Sequence, residues 1–168
     1  GDHVSVEIAV DPTDRDLIDE IRRVGKLEFG LDFELASDRL RMTAQGTAGL
    51  AGFFMLKGLG GTAHEKRIPG WVFGLPLPQR LAFLAGYLDA DGWVRQTEKS
   101  KDPVITSANP DLLADARELA ILCGIGVSSV IEVTSRHPFD RERLMTGYHL
   151  HLSGKFDRLP CRSPRRAD

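Results

Sequence analysis

Long apolar runs, cysteines and excess charge of one sign are all scarce in this sequence. No apolar run reaches the ~18–20 residues that a membrane-spanning helix needs, and no basic-then-apolar leader opens the chain. The two cysteines, Cys123 and Cys161, form neither a disulfide framework nor a zinc-site spacing. We therefore expect a cytoplasmic protein with no membrane partner.

A formal net charge of −2 excludes a uniformly basic surface of the kind that holds nucleic acid. The distribution of charge matters more than its sum, because phosphate binding depends on nearby cations. Acidic residues crowd an early segment (Asp11, Asp14, Asp16, Asp19 and Glu20) and basic residues the later part (Arg136, Arg141, Arg143, Lys155, Arg158, Arg162, Arg165 and Arg166). A function on nucleic acid thus requires a locally basic surface.

The signatures of several common sites are missing too. The sequence has no glycine-rich phosphate loop, no Ser-His-Asp set and no haem motif. His149 and His151 alternate on a predicted strand and so point the same way, which is compatible with metal ligation. An ordinary surface or core pair is the alternative, because no third ligand follows at a short spacing.

The segment Leu84–Gly92 joins a closely packing helix to a carboxylate at its C-terminal end. Pro76 and Pro78 suit the start of this helix, and Gly92 predicts its end in a left-handed conformation. Leu81, Leu84 and Leu88 form an apolar stripe at helical spacing. Ala82, Gly86 and Ala90 recur every fourth residue on a neighbouring face, and with Ala85 they are predicted to pack against a second helix.

The two carboxylates of this segment, Asp89 and Asp91, stand where the helix dipole is negative. An unpaired carboxylate there is disfavoured by roughly 0.3–1 kcal/mol, and a cation would reverse that cost. If a second helix placed its own acid beside Asp91, the pair would suit Mg²⁺, which binds through one or two carboxylates and substrate phosphates. The alternative is an amphipathic core helix that ends in an Asp-Gly turn.

Leu84–Gly92 resembles the LAGLIDADG motif of homing endonucleases and departs from it only at Tyr87 and Leu88. Lys66–Pro69 resembles the K-x-I-P sequence that precedes this motif in the endonuclease domains of inteins. The resemblance implies a site-specific endonuclease for double-stranded DNA that uses Mg²⁺. It further implies that Asp91 binds the catalytic metal and that Lys66 acts near the scissile phosphate.

The same resemblance implies an α+β fold of two pseudo-symmetric αββαββα-like halves, which form a saddle-shaped antiparallel sheet. Such a sheet holds DNA, and the width of the major groove, ~12 Å, admits a two-stranded ribbon. The candidate DNA contacts are Arg95, Gln96, Lys99, Lys101 and Lys155. Solvated loop charges are the alternative for each of them.

Enzymes of this family need two motif helices, from one chain or from two, and an internal repeat suggests where the first belongs. An apolar stretch, an Asx-Pro pair and a helix follow Asp91, and the same order opens the chain after Asp2. Asp2 is then the counterpart of Asp91 as a catalytic metal ligand, with its own helix cut away before Gly1. Chance similarity of two short units is the rival explanation. The copies comprise Val104–Ala108, Asn109-Pro110 and Leu112–Leu119 in one, and Val6–Val10, Asp11-Pro12 and Leu17–Ile21 in the other.

The repeat divides the chain into a first half-domain (residues 1–75), a second half-domain with the complete motif (76–154) and a basic tail (155–168). Ile68-Pro69 matches Leu159-Pro160, but Asp157 stands where Lys66 predicts a lysine, so Lys155 is the nearest basic candidate. The predicted elements are strands at Val4–Val10, Trp93–Thr97, Val104–Ala108, Val127–Val133 and Gly147–Leu152, a hairpin at Asp32–Thr43, helices at Arg15–Lys26, Thr47–Leu59 and Leu112–Leu122, and a connector at Glu98–Pro103.

Other functions stay open at this point. The protein could be an inactive DNA-binding relative, a maturase-like RNA-binding protein, or a segment of a protein-splicing element inserted in a host protein. The sequence has no terminal His-Asn followed by a nucleophile and no nucleophilic first residue, so these residues alone could not splice. Both a monomer of two half-domains and a homodimer are compatible with the motif.

Overall fold

The computed structural model describes residues 6–96, 101–137 and 140–161. The chain forms two compact units, Gly1–Gly60 and Gly61–Asp168, each with its own core. Helices and antiparallel sheets occur in both units, which confirms the predicted α+β class. Within the described ranges, no helix has the length and apolar character needed to cross a bilayer.

The first unit is a small three-stranded sheet with two helices. Its sheet has the order β1-β3-β2, and both pairings are antiparallel. Ile18 on the first helix packs with Met42 of the sheet and with Phe33, which precedes β2. The elements are β1 (Glu7–Ala9), α1 (Arg15–Phe29), β2 (Glu34–Leu35), β3 (Arg41–Thr43) and α2 (Ala48–Leu56), in agreement with the predicted strand, helix, hairpin and helix.

The second unit is built around an antiparallel sheet in which β8 is the central strand. β8 pairs with β5, β6 and β7, and β5 pairs with β4 on its other side. A 3₁₀ turn at Phe156–Arg158 follows the sheet. The elements are α3 (Gly70–Phe73), α4 (Leu77–Asp91), β4 (Gly92–Gln96), β5 (Lys101–Ser107), α5 (Pro110–Leu122), β6 (Gly126–Val127), β7 (Ile131–His137) and β8 (Asp140–Ser153).

The core of the second unit lies between this sheet and the helices α4 and α5. Leu84 and Leu88 of the predicted apolar stripe are fully buried, as are Leu113 and Leu119 of α5. Ile68 and Leu159, the two residues that precede the matched prolines, are both buried in this same core. The segment Lys66–Pro69, called the lead-in segment below, therefore packs with the second unit through Ile68, and the chain divides between Gly60 and Gly61.

Gly92 departs from its predicted conformation. Its backbone is extended (φ −99°, ψ 168°), so the prediction of a left-handed helix end was wrong. The chain turns directly from α4 into β4, where Gly92 pairs with Ile105. A Cβ at Gly92 would lie 2.5 Å from the Leu88 carbonyl oxygen and 2.3 Å from a Leu88 methyl group, closer than atoms can approach. Glycine is needed here for close approach.

Two predicted strand boundaries also changed. Pro103, predicted in the connector, belongs to β5 and pairs with Val94. β8 pairs with β5 only from Val104 onward, so β5 has a single neighbouring strand at Pro103. Such a position tolerates the missing N–H of proline. The predicted strand Val127–Val133 is interrupted between β6 and β7. Both pieces pair with β8 in different registers, which a single straight strand could not do.

The two units repeat one local order, as the sequence suggested. In each, a strand leads into a helix capped by an Asx side chain, Asp14 in one and Asn109 in the other. A later strand then pairs antiparallel with the first and is followed by a glycine of positive φ, Gly46 (75°) or Gly154 (44°). The predicted half-domain boundaries rest on this repeat and stay a prediction.

Candidate active site

The C-terminal end of α4 presents one carboxylate to solvent and buries the other. Asp91, the last helical residue, is exposed, whereas Asp89 is only 4% exposed. The hydroxyl of Thr106 on β5 donates a hydrogen bond of 2.9 Å to the Asp91 backbone oxygen. This bond and the immediate turn into β4 hold the backbone of the helix end, from which the Asp91 side chain extends, against the sheet.

Asp91 opens into a pocket of about 410 Å³ between the helix end and the sheet. Hydroxyl groups dominate its polar lining, and they come from β5, β7 and β8. This set of hard oxygen atoms beside a carboxylate suits a phosphate-bearing ligand or a hydrated divalent cation. The lining comprises Ala63, Asp91, Thr106, Ser107, Ala108, Ser135, Met145, Thr146, Gly147, Tyr148 and His149.

Lys66 lies on an exposed turn whose first part, at Ala63, lines the same pocket. The turn is closed by the Thr62 carbonyl, which accepts hydrogen bonds from the backbone N–H groups of Glu65 and Lys66, both at 3.1 Å. The side-chain amide of Asn109 donates to the Lys66 carbonyl at 2.8 Å. The structure therefore places the predicted lysine beside the N-terminus of α5, in the same unit as Asp91.

The residue after Lys66 makes a bidentate ion pair. Arg67 donates from Nε and Nη2 to the two carboxylate oxygens of Asp115 on α5, each at 2.7 Å, and the Ile68 N–H donates to the same carboxylate at 3.0 Å. The hydrogen bonds from Arg67 hold the pKa of the Asp115 carboxyl below its usual value, and they raise the pKa of the Arg67 guanidinium. This pair fixes the lead-in segment to α5.

Tyr87, where the motif departs from the family pattern, stands one turn before Asp91 on α4. Its hydroxyl is buried and makes no well-formed hydrogen bond to a described residue. Burial raises the pKa of Tyr87 to about 12; contact with Ser107 lowers it in part, and the charge of Asp91 adds to the rise. The environment of Tyr87 thus disfavours a second negative charge close to Asp91.

His149 and His151 point to the same side of β8, as their alternation predicted. Their ring centroids are 6.3 Å apart, and the Trp93 ring stands edge-on to His149, also at 6.3 Å. Burial, with a smaller effect from His151, lowers the pKa of His149. No group of three His, Cys, Asp or Glu side chains that could hold a metal occurs among the described residues.

The oxygen set around Asp91 fits the predicted Mg²⁺ as one part of a site. Mg²⁺ takes one or two carboxylates and completes its coordination with water and substrate phosphates, so a single protein carboxylate beside open space is sufficient on this side. Asp2, the predicted second ligand, lies outside the described residues. Asp91 and the hydroxyls of its pocket are therefore the described groups that could hold the metal.

The remaining predicted site residues fall into three groups. Arg95 on β4 and Lys155, which has a left-handed backbone (φ 61°), are exposed. Gln96 and Lys101 are opposite each other in the backbone register at the ends of β4 and β5. Lys99 lies outside the described residues. Of the predicted helix-packing set, Ala85 is in the core, whereas Ala82, Gly86 and Ala90 are exposed. A Cβ at Gly86 would meet no atom within 4 Å.

Sequence reasoning missed two residues that shape this site, Asn109 and Asp115. Asn109-Pro110 is a recognisable helix start, so its capping role could have been found from the sequence. The contacts of Asn109 with Lys66 and of Asp115 with Arg67 join residues 43 and 48 positions apart. No local sequence pattern predicts contacts between residues so far apart in the chain.

Known proteins resemble this chain over a little more than three fifths of its length. One relative, an iron-sulfur cluster assembly SufBD family protein of Mycobacterium leprae (strain TN), is 34% identical over 110 residues, which are 64% of this chain and 12% of that protein. DNA polymerases of Thermococcus hydrothermalis and of Thermococcus sp. (strain GE8) are 30% and 33% identical over 102 and 106 residues, 61% and 63% of this chain. The match covers 6% of each polymerase, so the chain spans a small part of these relatives.

The family that matches is the LAGLIDADG-like domain, over residues 78–155. This range contains α4 with Asp91, both strands of the β4-β5 hairpin, α5 and all of β8. The helices and antiparallel sheet of the second unit are consistent with the fold of that family. Residues 78–155, the part of the chain that carries Asp91, are therefore similar to a LAGLIDADG-like domain.

Proposed function

We propose that this chain is part of a site-specific endonuclease that cleaves double-stranded DNA by metal-assisted hydrolysis. The observation that carries the proposal is the placement of the Asp91 carboxylate: it is exposed, fixed at a helix end by Thr106, and open to a hydroxyl-lined pocket. A cation bound beside a carboxylate at the negative end of a helix dipole is favoured by both charges.

In this proposal Asp91 holds Mg²⁺ at the pocket, where the scissile phosphate would also lie. When bound, Mg²⁺ would supply Lewis-acid stabilisation of the negative charge that develops on the phosphate oxygens. Lys66, exposed on its turn, contributes a positive charge to the phosphate as negative charge develops in the transition state. Asp2 is the proposed acid of the first motif, and it would complete the site from a second helix.

The exposed face of α4 supports a second helix in the complete enzyme. Ala82, Gly86 and Ala90 would allow another backbone to approach more closely than the usual ~8–10 Å between helix axes. We propose that a second motif helix covers this face and brings its carboxylate to Asp91. The enzyme would then be a monomer of two half-domains, or a homodimer.

We further propose that the chain is part of an element inserted in a host protein, such as an intein. Similar segments of about 100 residues occur in proteins with unrelated names, and they make up between 6% and 12% of those proteins. A short segment shared by a SufBD family protein and by DNA polymerases is difficult to explain by a common activity of the whole proteins. An inserted module explains it directly.

The decisive experiment measures DNA cleavage by the protein that contains this chain, with Mg²⁺ and a plasmid library of genomic fragments as substrate. Cleaved ends identify the site, which is then used to compare variants. Asp91→Asn should reduce cleavage by roughly 100-fold or more, because it weakens the metal site, and should leave DNA binding close to normal. Lys66→Ala should reduce the rate at saturating DNA.

The matched control is Glu118→Gln, which removes one carboxylate charge from an exposed position on α5. Normal cleavage by this variant would show that charge alone does not explain the Asp91→Asn result. Full cleavage by Asp91→Asn would contradict the assigned role of Asp91. A wild-type protein that binds DNA and never cuts it would contradict the nuclease proposal altogether.

A further inference from the structure

We infer that Asn109 and Asp115 are positioning residues, which hold the backbone on either side of Lys66 so that its ammonium group is aimed at the reacting phosphate. The inference rests on the proposed function, because it takes the role of Lys66 from there. Both residues belong to the first half of α5, Asn109 as its N-cap and Asp115 six residues further along the helix. Neither contacts the phosphate site itself in this proposal.

Asn109 uses the two ends of its side-chain amide for different purposes. Its Oδ1 accepts hydrogen bonds from the N–H groups of Asp111 (3.0 Å) and Leu112 (3.1 Å), which caps α5. Its Nδ2 donates to the carbonyls of Lys66 (2.8 Å) and Ala63 (3.3 Å). Asn109 is buried, with 3% of the residue exposed, so its own amide group is shielded from competing water.

The choice of an amide at this position is informative. Aspartate and serine cap helices about as well as asparagine, since capping needs only one acceptor oxygen. What they lack is the NH₂ group that bonds the Lys66 and Ala63 carbonyls. The N-cap requirement therefore leaves the Nδ2 contacts unexplained, whereas fixation of the Lys66 turn explains them.

Asp115 fixes the chain on the other side of Lys66. Its two oxygens receive both bonds from the Arg67 guanidinium and a third from the Ile68 N–H, at 2.7, 2.7 and 3.0 Å. Charged bidentate pairs of this kind are geometrically specific as well as strong. Asp115 is also buried, with 8% of the residue exposed, so its carboxylate depends on these partners in place of water.

Lys66 thus carries an exposed side chain on a backbone held at both ends by one helix. A lysine stem has many rotamers, and every additional backbone freedom would widen the region that its ammonium group samples. Misplacement of a charged group by about 1 Å can cost on the order of 100-fold in rate.

The helix α5 also follows directly from β5, whose Thr106 bonds the Asp91 backbone oxygen. The Asn109 N–H donates a hydrogen bond of 3.0 Å to the Ser107 hydroxyl of that strand. One rigid unit therefore holds both proposed catalytic groups.

The test compares Asn109→Asp and Asn109→Ser, which keep a capping oxygen, and Asp115→Asn, which removes the charge that binds Arg67. Glu118→Gln is the control, because it removes one charge from an exposed position on the same helix. Cleavage of the identified DNA site should show a kcat lowered ~10-fold with a KM within about 2-fold of wild type. A purely structural role would lower the amount of active protein and would not separate kcat from KM in this way once active-site concentration is measured.

Hydrogen exchange supplies a readout that does not depend on cleavage. The backbone amides of Glu65, Lys66 and Ile68 are hydrogen-bonded in this segment. They should exchange faster in the Asn109 and Asp115 variants than in wild type or Glu118→Gln, while amides in the centre of α4 stay protected. Faster exchange together with the lowered kcat supports the inference.

Two results would overturn it, and they are distinct. If the wild-type protein cleaves DNA and the Asn109 and Asp115 variants cleave it with unchanged kcat, the positioning role is wrong and the nuclease function stands. If the wild-type protein binds DNA without cutting it, the proposed function fails and the positioning role falls with it.

Discussion

The Tyr87 hydroxyl is a weak acid that the fold keeps protonated well above its ordinary range. Burial raises its pKa to about 12, and the nearby charge of Asp91 contributes to this shift. In the unfolded chain the same group ionises near pH 10. The unfolded state therefore loses a proton first as the pH rises, and the free energy of unfolding should fall between pH 10 and pH 12.

We expect Tyr87→Phe to remove this alkaline loss of stability. Unfolding by urea, followed by tryptophan fluorescence at several pH values from 8 to 11.5, measures it; both tryptophans, Trp71 and Trp93, lie in the second unit. The free energy of unfolding should fall with pH less steeply in the variant than in wild type. Equal slopes would mean that Tyr87 ionises as freely in the folded protein as in the unfolded chain.

The residues of the site differ in how far the sequence reveals them. Asp91 can be identified from the sequence because a short motif places it at a helix end. Lys66 can be identified because the lead-in segment precedes that motif. For Asn109 the sequence predicts only a helix cap. Nothing in the sequence distinguishes Asp115 from the other charged residues of an amphipathic helix. Their functional contacts form across 43 and 48 residues, and only the packing of α5 against the lead-in segment brings them about.

Gly86 within α4 and Gly92 directly after it serve opposite purposes, and substitution should separate them. Gly92→Ala forces a Cβ into Leu88 and should destabilise the second unit by about 1–3 kcal/mol, as overpacking does. Gly86→Ala fills open space on an exposed helix interior and should stabilise the unit by about 0.5–1 kcal/mol through helix propensity. Urea unfolding followed by tryptophan fluorescence measures both.

The cleavage assay adds a second reading of Gly86→Ala. If a second helix packs on this face in the complete enzyme, the added methyl group should lower cleavage even though it stabilises the isolated unit. Higher stability together with undiminished cleavage would show that no backbone approaches Gly86. A Gly92→Ala variant as stable as wild type would refute the steric reason given for that glycine.

At the scale of elements, the sequence predicted helices and the first hairpin well because each has local signals. Asp14 and Gly30 bound α1 as cap residues, with Gly30 in the left-handed conformation, although the helix runs to Phe29 and not to Lys26. The strands of the second unit were harder to predict. β8 extends from Asp140 to Ser153, far beyond the predicted Gly147–Leu152, because its length is set by pairing with β7 and not by its own composition.

At the scale of the whole chain, charge is divided unequally between the two units. Gly1–Gly60 contains 7 basic and 11 acidic residues, whereas Gly61–Asp168 contains 15 basic and 13 acidic residues. The near-neutral total thus hides a basic surplus in the unit that carries Asp91. The sign of this surplus is the one that the proposed DNA binding requires.

Salt dependence should show which unit supplies the phosphate contacts. Arg95→Ala on exposed β4 should weaken DNA binding and reduce the slope of log K against log salt by about 0.9 for the lost contact. Arg23→Ala on α1, where the arginine pairs with Glu20 at 2.8 Å, is the control and should leave the slope unchanged. Fluorescence anisotropy with a labelled duplex between 50 and 300 mM salt measures both. Identical slopes for the two variants would remove Arg95 from the interface.

The close approach of Gly92 to Leu88 has a consequence for reading related chains. The path of the backbone requires glycine at this point whether or not any reaction takes place, whereas the proposed reaction requires the neighbouring acid. Loss of catalysis would therefore release the acid and retain the glycine. The residues at these two adjacent positions should therefore distinguish related chains that cleave DNA from related chains that have lost the reaction and still fold.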